Sequence, residues 1–131
     1  MDRLRIVDAF KRYGATLQNY MWAVSAIAPD GGVVISCWDS DIRTANKVMH
    51  YQDCLSSWSG KNPNGSRLLR EHLEQAVRDV LPLHLVLAHP AEPNTGRIAE
   101  YFHVRTDVVG KVVTFDGDAF ALEFSRRAAE E

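Results

Sequence analysis

Paired aspartates, five histidines, two cysteines and three tryptophans are the side chains of this 131-residue chain with chemistry in reach. Asp39 and Asp41 stand two apart, and so do Asp116 and Asp118. Carboxylate oxygens so placed suit a hard cation such as magnesium, the chemistry of a small metal-dependent nuclease or hydrolase. Such a nuclease also wants Glu-x-Lys on a neighbouring strand. The nearest approach, Glu123-Phe124-Ser125-Arg126, puts a cation one place late. Both aspartate pairs equally fit turns and caps, where Asp is common. His50 and Cys54 would share a face if their segment were helical, but no CxxC or HxxxH completes a zinc set. His84 and His89, five apart, fall on opposite faces of a continuous strand. Phosphate-loop, dinucleotide, nucleophile-elbow and zincin patterns are absent. The residues therefore nominate no catalytic group, no bound metal and no cofactor.

The aromatic residues point elsewhere. Trp22, Trp38 and Trp58 are spread over the first half of the chain, with Tyr20 two places before Trp22. If Trp22 and Trp38 share a hairpin, their indoles and Tyr20 can wall a hollow in which Asn19, Ser25 and Asp39 meet the edge of a flat heterocycle. Rings stack on its faces and short polar groups read its rim. Core packing is the competing use of the same rings. Lys61, Arg67 and Arg70 surround the start of a helix whose free N–H groups suit phosphate. Arg97, Arg105 and Lys111 are further cations in the later half.

The elements that must position these groups follow from periodicity. Residues 3–13 predict a helix capped by Asp2 and stopped at Gly14. Asn19 to Ala28 alternates as a strand, Pro29-Asp30-Gly31-Gly32 is a turn, and Val33 to Trp38 is a second strand. Residues 39–66 read as irregular, ending in the loop Ser59 to Ser66. Ser66 is expected to cap a helix over 67–81, with Leu69, Leu73, Ala76, Val77 and Val80 as its apolar stripe and Pro82 as its stop. Leu83 to Leu87 reads as a buried strand, Pro90 and Pro93 bracket a loop, and Arg97 to His103 is extended. Lys111 to Phe115 and Phe120 to Phe124 form a hairpin about Asp116-Gly117-Asp118.

This order predicts one α+β domain over 1–131, a curved antiparallel sheet or small open barrel packed by two helices, with a charged tail at 126–131. An apolar content of 46% and a charged content of 24% match a chain that folds on one core. A net charge of -2 argues against indiscriminate binding to nucleic acid while leaving room for a local basic face. No apolar run reaches membrane-spanning length, and Met1-Asp2-Arg3-Leu4-Arg5 lacks a signal peptide's apolar core, so no membrane partner and a cytoplasmic location are expected. Cys37 and Cys54 then read as reduced thiols.

The stretch Asn19-Tyr20-Met21-Trp22-Ala23-Val24-Ser25-Ala26, then Asp30-Gly31, then Val33-Val34-Ile35-Ser36-Cys37-Trp38, resembles small bacterial and phage domains that accompany DNA restriction and modification proteins. It is also similar to PUA-like barrels of the EVE type, which hold a modified base in an aromatic pocket. The resemblance implies a nucleic-acid recognition module, and the residues read above then supply its expected roles: Trp22 and Trp38 would stack, Asn19, Ser25 and Asp39 would read edges, and Lys61, Arg67 and Arg70 would meet phosphates. The metal-dependent hydrolase and a protein-binding or homodimeric domain that uses Trp58 at its interface are the alternatives.

Overall fold

Continuous apolar runs at Val33–Trp38 and Leu83–Pro90 become the centre of a sheet in a computed structural model that describes residues 3–91 and 98–127. The elements are α1 (Ile6–Lys11), β1 (Ser25–Ile27), β2 (Val33–Trp38), β3 (Arg43–Ala45), β4 (Val48–Cys54), α2 (Pro63–Asp79), β5 (Leu83–Pro90), β6 (Ala99–Phe115) and β7 (Ala119–Arg126). Seven strands form one sheet in the order β1-β2-β5-β6-β7-β4-β3. The expected α+β class and the curved sheet with two helices both hold. The sheet is not closed into a barrel.

One pairing departs from the antiparallel expectation. β2 and β5 run parallel, from Val33 beside Leu83 to Trp38 beside Ala88. Parallel neighbours need a long crossover, and the β3–β4 hairpin and α2 together supply it. Burial on both faces is the reason these two strands read as unbroken apolar runs. Val33, Ile35, Cys37, Leu83, Leu85 and Leu87 face α2, packing with Leu69, Leu73 and Ala76. Val34 and Val86 face the other way, onto Ala9 and Phe10 of α1.

Several expected boundaries move, each for a local reason. The strand predicted from Asn19 shrinks to Ser25–Ile27, because Asn19 captures the following amides. Its Oδ1 accepts from Met21 N–H at 2.8 Å, and its carbonyl accepts from Ala23 N–H at 2.9 Å. Tyr20 to Trp22 therefore form a turn. The main helix starts at Pro63 rather than after Ser66. Asn62 is its cap, accepting from Gly65 N–H at 2.9 Å, and Pro63 takes the first position, where a missing N–H costs nothing. The first helix is shorter than 3–13, spanning Ile6–Lys11 after Arg5. Asp2, Pro93, Arg97 and the last four tail residues lie outside the described residues.

The segment 39–66 is not irregular throughout. Asn46 and Lys47, with φ of 53° and 67°, make the tight turn of a β3–β4 hairpin. Of the two extended stretches expected at 97–103 and 111–115, the described residues 99–103 and 111–115 belong to one strand, β6, whose first half pairs with β5 and whose second half pairs with β7. Between them the register jumps: Leu83 faces Gly110 but Leu85 faces Arg105. A bulge of this kind bends the strand and increases local twist. Gly110 makes room for the Phe124 ring at this point, since a Cβ there would clash with it.

The curl is large. β2 and β4 are separated by three strands in the sheet, about 19 Å if it were flat. Yet the Trp38 N–H donates to the Tyr51 hydroxyl at 3.4 Å. Tyr51 on β4 thus reaches across the concave face to touch β2, and α2 covers only part of the space between them.

Candidate functional site

That uncovered part is a hollow of about 360 Å³. Trp38, at the end of β2, and Trp58, just before α2, line it together with Tyr51 and Phe120. Each ring has a sequence-level cause. Tyr51 belongs to the inward set of β4, where Met49 and Tyr51 are buried while Gln52 is exposed. Phe120 lies opposite Asp53 across the β4–β7 ladder, which carries both to the same wall. Trp58 ends a short 3-10 turn at Leu55–Ser57 that reverses the chain into α2. Trp38 and Trp58 are half-buried, so each packs against the core and still offers surface to the hollow.

Polar groups stand among these rings. Ser36, Asp41, Asp53, Ser57, Lys61 and Asn62 complete most of the lining. The Asp53 carboxylate is close enough to Tyr51 and Cys37 to help burial push the phenol and the thiol above their ordinary values. Both groups are therefore neutral near pH 7 and serve as wall. Lys61 is exposed and forms no ion pair among the described residues. Asn62 also works behind the wall: its Nδ2 donates to the Trp22 carbonyl at 2.8 Å, fastening the Asn19–Trp22 turn to the start of α2.

The structure divides the side chains that the sequence grouped. Trp38 and Lys61 line the hollow. Trp22 does not, and meets α2 through its backbone carbonyl. Tyr20, 67% exposed, borders a separate shallow depression with Asn19, Val7 and Lys11. Ser25 is fully buried, its Oγ 2.8 Å from Nδ1 of His72. Asp39 lies 3.7 Å from Nδ1 of His89, at the edge of a ring cluster in which His89 stacks on Tyr101 and meets His103 edge-on. The expected gathering of Tyr20, Trp22 and Trp38 on one hairpin face fails because the turn at Asn19 breaks the alternation.

The cations scatter as well. Arg67 and Arg70 are exposed on α2, Arg67 donating to Asn64 at 3.1 Å. Arg105 pairs with Asp107 at 2.9 Å on the β6 bulge, and Lys111 lies across from Glu123 in the β6–β7 ladder. Only Lys61 of the described candidates reaches the hollow.

The pair Asp116 and Asp118 has structural work. Asp116 Oδ1 accepts from the N–H groups of Asp118 and Ala119, closing the β6–β7 turn. Asp118 accepts from the N–H and hydroxyl of Ser56, and these bonds hold its carboxyl below the ordinary range. His50 and Cys54 lie on a strand rather than a helix, with His50 3.7 Å from Glu123. His84 and His89 do take opposite faces of β5: His84 stacks on Tyr13, near α1. Both cysteines are free thiols. Among the described residues, no three His, Cys, Asp or Glu side chains converge as a metal site would require.

Sequence reasoning missed Tyr51, Asp53 and Phe120. The signal was present in the β4 alternation Met49, Tyr51, Asp53 within the stretch read as irregular. Fold and hollow together define a mixed α+β domain with an aromatic cleft on the concave side of an open sheet. Compared with family models, with curated proteins and with solved structures, the chain matches none. No helix among the described residues is long and apolar enough to cross a membrane.

Proposed function

We propose that the chain is a non-catalytic nucleic-acid recognition module that takes a single base into the hollow between β2, β4 and the start of α2. The observation that supports this reading is one cavity of about 360 Å³ whose lining includes two half-buried tryptophans among hydroxyl, amide and charged groups. Flat heterocycles bind where rings cover their faces and a few fixed polar groups meet their edge. A base that enters such a site must be unpaired or swung out of a duplex. Lys61 at the mouth is the group for the attached phosphate. Arg67 and Arg70 are exposed on the following turns of α2 and add positive charge outside the hollow.

Trp38 is the stacking residue in this reading, and Trp22 is a support. Stacking on an aromatic side chain is worth roughly 1–3 kcal/mol per base. Trp38→Ala should therefore weaken binding about 5- to 150-fold. Trp22→Ala, outside the hollow, should weaken it far less. Anisotropy of a labelled single-stranded oligonucleotide at low and moderate salt measures both, with circular dichroism to verify folding. Affinity should fall as salt rises, and Lys61→Gln should lower the slope by about one counterion. A folded Trp38→Ala protein that binds as tightly as the native chain removes the hollow from consideration.

A further inference from the structure

The base-binding reading leaves open which bases the hollow accepts, and Asp53 addresses this. Asp53 lines the hollow beside Phe120 and also lines the neighbouring depression along β7. Its side chain is held from one side only. Oδ1 accepts from the Cys54 N–H at 2.8 Å and from the Ser57 hydroxyl at 3.1 Å. The single Ser57 hydroxyl hydrogen is shared between this contact and the Cys54 carbonyl, the nearer acceptor at 2.7 Å. Oδ2 has no hydrogen-bond partner among the described residues. A carboxylate oxygen offers two lone pairs and no donor, so the Cys54 N–H anchors Oδ1 while Oδ2 is left to accept from a ligand N–H.

We infer that Asp53 is a specificity-determining residue which selects bases carrying an exocyclic amino group, the cytosine N4 and adenine N6 type, over bases with a carbonyl oxygen at the corresponding position, the thymine O4 type. The inference rests on the proposed base site. Its physical ground is the one-sidedness of the carboxylate. Cytosine N4 and adenine N6 carry N–H donors, whereas the corresponding thymine group is the O4 acceptor. A carbonyl oxygen placed against Oδ2 would bring two acceptors together with no hydrogen between them, inside a partly desolvated hollow where that contact is costly. The immobilised Oδ1 matters because a freely rotating carboxylate could turn to present either oxygen or swing out to water.

The test uses single-stranded oligo(dC), oligo(dA) and oligo(dT) of equal length with the full chain. The native protein should bind oligo(dC) and oligo(dA) about tenfold or more tightly than oligo(dT), the range of a hydrogen bond to a charged group. Asp53→Asn keeps the shape and can keep the Oδ1 contacts while turning Oδ2 into an N–H donor. It should narrow or reverse the preference, chiefly by gaining affinity for oligo(dT). A second measurement needs no variant: adenine dimethylated at N6 lacks the donor and should bind the native protein about as weakly as thymine. Equal binding of all three oligomers, or undiminished binding of the dimethylated base, overturns the role of Asp53. If Trp38→Ala still weakens binding in that case, the base site itself stands. If the native protein binds none of the oligomers, both fall together.

Discussion

Replacing Gly65 with alanine should destabilise the protein, although local helix propensity says the reverse. Gly65 lies in the first turn of α2, and Gly→Ala inside a helix ordinarily gains up to about 1 kcal/mol. Here a Cβ would stand 2.4 Å from the Trp22 carbonyl oxygen and 2.4 Å from Nδ2 of Asn62. The first neighbour is backbone and cannot rotate away. Relief requires the Asn19–Trp22 turn and the start of α2 to separate by roughly the 1 Å by which the contact falls short of ordinary van der Waals distance. Separation strains the Asn62 bond to the Trp22 carbonyl, about 0.5–1.5 kcal/mol, and the Asn62 cap on Gly65, about 0.5–2 kcal/mol. Set against a propensity gain of about 1 kcal/mol, the net loss centres on about 1 kcal/mol and reaches at most about 2.5 kcal/mol.

Urea unfolding followed by circular dichroism reads this directly. With a slope of about 2 kcal/mol per molar urea, the Gly65→Ala midpoint should fall by about 0.5 M and by no more than about 1.2 M. Asn62→Ala removes the same two bonds without the clash, so the double variant should lose less than the two single losses added together. A Gly65→Ala midpoint equal to or above that of the native chain would show that the α2–turn contact carries no energetic weight. The packing argument at this site would then be wrong.

Burial lowers the pKa of both His72 and His103 from the ordinary 6.5, with His89 and Arg3 adding to the effect at His103. The unfolded chain then takes up protons that the native chain resists, so stability is full above pH 6.5 and declines as pH falls below it. The urea midpoint should be lower at pH 5.5 than at pH 7.5, and an unchanged or higher midpoint contradicts the burial of these rings. Both faces of the central strands should matter to the fold. Leu73→Ala under α2 should cost about 2–5 kcal/mol and Phe10→Ala under α1 about 3–5 kcal/mol by thermal or urea unfolding. A loss below 1 kcal/mol at Phe10 would show that α1 is not docked.

Much of the local structure was legible because it depends on neighbours in sequence. The apolar run at 33–38, the Asp-Gly turn at 116–118 and the stop at Gly14 reproduce in the structure with small shifts. Of the expected α2 stripe, Leu69, Leu73 and Ala76 are buried, whereas Val77 is exposed and Val80 is the exposed left-handed cap that ends the helix. Errors arose where a side chain competes with the pattern. Asn19 holds three following amides in reach and turns a strand-like alternation into a turn. Asn62 and Pro63 begin a helix inside what composition marks as a loop.

The sequence by itself determined that the chain folds as an α+β domain and that its tryptophans fall near polar and cationic residues. Only the tertiary structure decided which of them meet. Trp38, Tyr51, Trp58 and Phe120 come from four separate stretches, brought together because the β6 bulge curls the sheet until β4 faces β2. Sequence periodicity encodes which face a residue takes within its own element. It carries no information on how sharply a sheet bends or which strands end opposite one another, because those follow from long-range packing of the whole core.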